Sequence, residues 1–210
     1  MYNNKRIAVN TVAIYCRLVL SSGIALFSTR YVLEALGEED FGLYNVIAGV
    51  VALFSFIAST MATTTQRFIS FTMGSAPDTG RIREVFGSSL CLHVVVAFVV
   101  AAVVLLGGWL LIDNVLSIPQ GKHSDALFVL VSVCFGLVGT IVSVPFEALL
   151  MAHENIVFVS VCQMFNTLVK LGGALLLLYL EADRLRIYAV IMACLPFLLL
   201  LMEGSFCLKR

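Results

Sequence analysis

The chain has 210 residues, of which 60% are hydrophobic and only 12% charged, and its formal net charge at pH 7 is zero. Soluble domains contain about 45–50% apolar residues, and a soluble chain of this size cannot bury so much apolar surface, so the composition indicates a membrane protein. The absence of net positive charge argues against a nucleic-acid partner.

Six apolar runs are long enough to cross a ~30 Å hydrocarbon core, which takes about 20 helical residues. They cover residues 7–33, 41–73, 85–112, 125–152, 155–180 and 185–207. Short connections force neighbouring helices to run antiparallel, so we predict an all-α bundle of six transmembrane helices. No linker or soluble domain interrupts it, and residues 1–210 therefore form a single transmembrane domain.

Lysine and arginine residues near the span ends predict the orientation, because they favour the cytoplasmic side. Six of them fall on one side of the bundle: Lys5, Arg6, Arg81, Arg83, Lys209 and Arg210. The other side carries the acidic stretch 34–40, with Lys122, Arg184 and Arg186 as its minority of positive residues. Both termini are therefore expected in the cytoplasm.

The first two spans carry polar residues along one face. Arg17 lies ten residues into the first span, about 15 Å along the helix, and is expected near the midplane on a stripe with Asn10, Ser21 and Ser28. Arg30 lies near the outer end, where an interfacial role is an equal alternative. In the second span, Gln66 and Arg67 follow a row of hydroxyl residues near the cytoplasmic surface. Arg67 either snorkels to that surface or lies at the mouth of an inward-facing cavity.

The fourth and fifth spans add the deepest remaining charges. Glu147 follows the helix-kinking Pro145, and Lys170 shares a face with Gln163, with Asn166 at its margin. The hydroxyl residues of these faces are explained by helix–helix hydrogen bonding alone, but an unpaired cation at this depth costs at least ~2.5–3.5 kcal/mol. Glu147 is the one deep carboxylate expected, as Glu203 lies close enough to the end of the sixth span to pair with Lys209 or Arg210. A positive, hydroxyl-lined cavity for a phosphate-bearing substrate is therefore predicted.

Other chemistry is not expected. The six cysteines include no CxxC pair, and the three histidines, His93, His123 and His153, lie near predicted span ends and far apart in sequence. We therefore predict free thiols, no metal site, no cofactor and no enzymatic activity.

Three stretches have a more distinctive character: LGEEDFGLYNVIAGVVALFSF (36–56), ATTTQRFISFTMG (62–74) and SVPFEALLMAHE (143–154). Together with NKRIAVNTVAIYCRL (4–18) they resemble the polysaccharide-biosynthesis flippases. These form the Wzx-like branch, which includes the O-antigen flippases of lipopolysaccharide biosynthesis, of the MOP superfamily that also holds the MATE exporters and the lipid II flippases. The similarity covers the whole chain, and the acidic-FGLYN run is its most specific part.

The resemblance implies two six-helix lobes around a cationic cavity, in a protein of the bacterial cytoplasmic (inner) membrane that flips undecaprenyl-diphosphate-linked oligosaccharides. Arg17, Arg30 and Arg67 match the family's substrate-contacting cations, and we add Lys170, Gln66, Gln163 and Asn166 as substrate-binding candidates and Glu147 as an ion-coupling candidate. Family members have twelve or more helices, so the chain is expected to be one lobe that needs a second lobe or a second copy. A MATE-like exporter lobe and a non-transporting or truncated assembly subunit are the alternatives.

Overall fold

A computed structural model describes residues 2–75, 79–116, 118, 121–180 and 183–208 of the chain. Within these ranges the chain is helical and contains no strand, which confirms the predicted all-α class. Six helices follow one another: α1 Tyr2–Ala52, α2 Ser55–Ser75, α3 Thr79–Asn114, α4 His123–Ala152, α5 Ile156–Tyr179 and α6 Arg184–Leu208. Lys209 and Arg210 lie outside the described residues.

In the described part of the chain, five helical stretches are long and apolar enough to cross a membrane, and they make this a multi-pass membrane protein. They are Ala8–Ser75, Gly80–Asn114, His123–Ala152, Ile156–Tyr179 and Arg184–Leu208. Four of them correspond to the last four predicted spans. The difference from the six predicted spans lies in Ala8–Ser75, a stretch of 68 residues that contains both α1 and α2.

Two breaks interrupt this stretch. Gly37 has φ 78° and ψ 172°, a non-helical conformation inside α1. The predicted second span, 41–73, is itself divided, because α1 ends at Ala52 and α2 begins at Ser55. At that point the Ser55 hydroxyl donates to the Ala52 carbonyl at 2.6 Å. A continuing helix would offer that carbonyl to the amide of residue 56, and hydroxyls that bond back to the helix in this way bend it.

Polar contacts hold the Gly37 break against the start of α4 and α6. Lys122 forms a salt bridge with Asp40, and the hydrogen bond to this carboxylate raises the pKa of Lys122 above its ordinary value. Arg184 donates through Nη1 to the carbonyl of Ala35 at 2.9 Å. These charges lie at the end of the bundle where α3 meets α4, which we call the α3–α4 end.

Helix α4 is the centre of the bundle, since it packs on α6, α3, α2 and α1. Two glycines let the backbone of α6 approach closely. A Cβ at Gly136 would lie 3.3 Å from the Cα of Ala193, and one at Gly139 would lie 2.9 Å from the Phe197 ring. Small residues at such contacts let membrane helices pack tightly. Helix α1 packs chiefly along α5, with much less contact to α2 and α3.

We expect Gly37→Ala to destabilise the protein by about 1–3 kcal/mol, because the φ and ψ of Gly37 belong to a region that residues with a Cβ avoid. The space around Gly37 is open, so backbone strain and not a clash is the cause. Thermal unfolding in detergent micelles measures the effect.

Gly42→Ala is the matched control for this substitution. Gly42 lies in the helical part of α1 and has nothing within 4 Å of an added Cβ, so alanine there should leave stability unchanged or raise it by up to ~1 kcal/mol. Equal unfolding temperatures for Gly37→Ala and Gly42→Ala would show that alanine is tolerated at residue 37 and that the break does not require glycine.

Candidate functional site

One chain of hydrogen bonds joins three helices inside the bundle. Arg17 of α1 donates through Nη1 to Oε1 of Gln163 on α5, and Nε2 of Gln163 donates to Oε1 of Glu147 on α4 at 2.9 Å. The glutamine amide can link a cation to an anion because it has both an acceptor and a donor end. We call these three half-buried residues the polar chain.

The polar chain lies towards the end of the bundle where α4 meets α5, the α4–α5 end. Gln163 is seven residues from the start of α5 and Glu147 five residues from the end of α4, about 10 Å and 8 Å along the axis. Arg17 lies 15 residues from the start of α1, and its place near the midplane stays a prediction.

Two further candidates continue the polar face of α5. Lys170 lies seven residues beyond Gln163, about two turns along the same face, and is half-buried. In the described part of the chain its ammonium has no hydrogen bond or salt bridge. Asn166 lies between the two, and its Oδ1 is buried without a hydrogen-bond partner. The structure thus aligns Gln163, Asn166 and Lys170 on the helix that packs along α1.

Gln66 and Arg67 lie on α2, apart from the polar chain. They line an open hollow of about 800 Å³ together with Thr63, Thr64 and Ser70. The hydroxyls of Thr63 and Thr64 donate to carbonyls of their own helix, so they need neither water nor a partner. Among the described residues, by contrast, no side chain bonds to Gln66 or to the exposed Arg67.

Arg30 is exposed on α1, and no described contact joins it to the polar chain. The structure therefore brings Arg17, Gln163 and Glu147 together, places Asn166 and Lys170 beside them, and leaves Gln66, Arg67 and Arg30 on other surfaces. Roles for all eight residues remain predictions.

Glu203 is the neighbour of the polar chain that the sequence interpretation missed. Its side chain is only 2% exposed, and its charge interacts with that of Glu147. The proposed pairing with Lys209 or Arg210 falls on residues outside those described. Spacing along α6 gives no signal of this burial, because it depends on the helices that α6 packs against.

A second buried polar network lies between α2 and α3. His93 was expected near a span end, but it lies 14 residues inside α3 and is 1% exposed. Its Nδ1 lies 2.7 Å from the Ser89 carbonyl, and the Ser89 hydroxyl lies 3.2 Å from that of Thr65. The Thr65–Ser89 contact connects α2 to α3, which is the interhelical role of polar residues in membranes.

We expect Gln163→Leu to lower the free energy of unfolding by about 1–3 kcal/mol, because Arg17 and Glu147 both lose their hydrogen-bond partner. Chemical denaturation in mixed micelles measures the change. Combining it with Glu147→Gln should give less than the sum of the two single effects, since both substitutions break the same chain.

Gln66→Leu is the matched control, as it makes the same exchange at a side chain without a described hydrogen bond. Its effect should stay within ~0.5 kcal/mol. Equal losses at positions 66 and 163 would mean that the polar chain contributes nothing specific to stability.

Comparison with known proteins adds no assignment to this geometry. No protein-family model, no curated protein and no solved structure matches the chain. A function for this site therefore depends on its charges and contacts, and on the resemblance of the sequence stretches given above.

Proposed function

We propose that this protein is a lobe of a membrane transporter that binds a lipid-linked diphosphate and moves its head group across the bilayer. The substrate class is an undecaprenyl-diphosphate-linked oligosaccharide, and the membrane is the bacterial cytoplasmic membrane. No bond is made or broken. The resemblance to polysaccharide flippases supplies the substrate, and the placement of two cations within the bundle supports it.

The observation that carries the proposal is the pair of cations on α1 and α5. Arg17 reaches a carboxylate only through Gln163, and Lys170 has no described counter-charge at all. A cation at such depth costs at least ~2.5–3.5 kcal/mol in lipid, so both favour an aqueous cavity and an anionic ligand. Phosphate oxygens are strong acceptors for guanidinium and ammonium donors.

Six crossings suit this function, and the break at Gly37 supports them. A helix of 68 residues measures about 100 Å, more than three times the ~30 Å hydrocarbon core. We therefore divide Ala8–Ser75 into two spans, with the turn between them at Gly37. Both termini then lie on the side of Arg81 and Arg83, in the cytoplasm, and the α4–α5 end with the polar chain faces the cytoplasm.

A second lobe, or a second copy of the chain, completes the cavity in this proposal. Helix α2 buries only Ala58, Thr65 and Ile69 within the described residues, and its hollow leaves Gln66 and Arg67 uncovered. A guanidinium on a helix face that meets neither protein nor water is costly. In this proposal the helix face with the hollow is the surface that contacts the other lobe, and Arg67 lies at the cytoplasmic end of that surface.

Glu147 is the proposed ion-coupling residue, as it is the carboxylate linked to Arg17. A MATE-like exporter of organic cations would instead need uncompensated carboxylates facing the cavity. An assembly subunit would need neither cations nor carboxylates there. The three functions differ in what the interior binds, which a binding measurement can separate.

We expect Arg17→Gln and Lys170→Gln each to weaken binding of undecaprenyl diphosphate by about tenfold to a hundredfold, because each removes a charge-assisted hydrogen bond worth ~1.5–3 kcal/mol. Binding is measured by titrating the lipid into nanodiscs that hold the purified protein. Undecaprenyl monophosphate, which has the same tail, serves as the lipid control.

Arg83→Gln is the matched control variant, since Arg83 is an exposed arginine at the start of α3. It should bind the diphosphate like the unmodified protein. If all three variants bind equally, the anion-capture proposal fails; if Arg17→Gln instead gains affinity for tetraphenylphosphonium, an organic cation, the exporter alternative is favoured.

A further inference from the structure

Glu147 and Glu203 lie at one level of the neighbouring helices α4 and α6. A Cβ on Gly204 would lie 3.7 Å from the Phe146 ring, so the residues next to this contact, Glu147 and Glu203, are at the same level of two helices that run in parallel. The charges of the two carboxylates interact unfavourably. Helix α5 closes the third side, where Phe158 stacks on Phe206 with ring centroids 4.0 Å apart.

Among the described residues around the pair, one cation is linked to it, and it lies on the side of Glu147. That cation is Arg17, which acts through Gln163. Glu203 faces the thiols of Cys162 and Cys207 and has no described hydrogen bond or ion pair. Ser160, on α5 at the level set by the Phe158 stack, has a buried hydroxyl without a partner.

The charged residues of the other two helices near this level point elsewhere. Arg67 of α2, and Arg83 and Glu84 of α3, are exposed, and no described contact joins them to the pair. Lys170 lies about two turns further along α5. A carboxylate as buried as Glu203 cannot keep its charge without a partner, and two adjacent carboxylates do not both ionise when one proton can serve the pair.

We infer that Glu147 and Glu203 share one proton at rest and bind a second proton when an anion takes Arg17 away from Gln163. The inference rests on the proposed function, because the anion is the diphosphate captured by Arg17 and Lys170. In the step, Gln163 loses its contact with Arg17, Glu147 loses the cation that stabilised its charge, and one proton passes from water to a carboxylate oxygen of Glu147. No electron moves and no covalent bond of the ligand changes.

The charges of the two states support this step. At rest, two cations, Arg17 and Lys170, stand against a single negative charge on the carboxylate pair. A diphosphate diester brings two negative charges, which match the two cations and leave the charge on Glu147 uncompensated. Uptake of one proton restores neutrality inside the bundle, where unbalanced charge is most costly.

A proton suits this pair better than a metal cation does. The positive charge of Arg17 acts on Glu147 through a single amide and repels a cation that would sit between the carboxylates. Anion and proton therefore bind together, and by linkage each strengthens the binding of the other. Acidification should then raise the affinity for the anion by up to about tenfold per pH unit.

Infrared difference spectroscopy of the full chain in detergent tests this directly, because a protonated carboxyl group has its own C=O stretching band, which shifts in D₂O. The anion is symmetrical dimethyl diphosphate, a diester that keeps both charges near neutral pH. At neutral pH we expect one protonated-carboxyl band without ligand, absent in Glu203→Gln, and a second band of about equal area with ligand, absent in Glu147→Gln.

Glu84→Gln controls for the loss of an exposed carboxylate and should match the unmodified protein. Glu203→Asp, which keeps a carboxyl group, should keep the resting band. It therefore shows whether the band is lost in Glu203→Gln because the carboxyl group is missing or because the protein misfolds. The inference is overturned if the resting protein has no such band, if the band persists in Glu203→Gln, or if sodium ions remove it.

The outcomes also separate this inference from the proposed function. If dimethyl diphosphate binds, by calorimetry, without adding the second band, the proton linkage is wrong and anion capture stands. If it does not bind at all, the proposed function fails, and the linkage fails with it, whereas the resting band still reports whether Glu203 holds a proton.

Discussion

The cost of leaving a charge unpaired in a bilayer governs the interior of this protein. Hydrocarbon offers no hydrogen bonds, so Arg17 and Glu147 are stable within the bundle only because Gln163 connects them. Each of the three side chains comes from a different helix. The same hydrogen-bonded chain therefore links α1, α4 and α5.

Much of the fold follows from the sequence, because hydrophobic length alone distinguishes a membrane helix from a soluble one. The last four helices begin and end close to the predicted span limits. The division of residues 41–73 could not be predicted, since the turn there contains neither proline nor glycine, although the Ser55 hydroxyl bonds back to the Ala52 carbonyl at this point. The polar face of α5, with Gln163 and Lys170, could be predicted from helical periodicity.

Contacts between helices were less accessible to sequence reasoning. Spacing along one helix indicates which residues share a face, but not which helix that face meets. The link from Arg17 to Gln163 spans 146 positions of the chain, and no local pattern encodes it. Glu203 was missed for the same reason, because its burial depends on α4 and α5 rather than on its distance from the end of α6. His93 differs from these cases. The sequence placed it in the correct helix, but it lies farther from the end of that helix than predicted.

The glycine contacts between α4 and α6 have a mechanical consequence. With Gly136 against Ala193 and Gly139 against Phe197, these two helices are interlocked and should move as one rigid piece that contains both Glu147 and Glu203. Helix α1 packs mainly along α5 and makes far less contact with α4 and α6, so a tilt of α1 together with α5 would shift its guanidinium relative to the two acids. The separation between Arg17 and that pair would change with such a tilt.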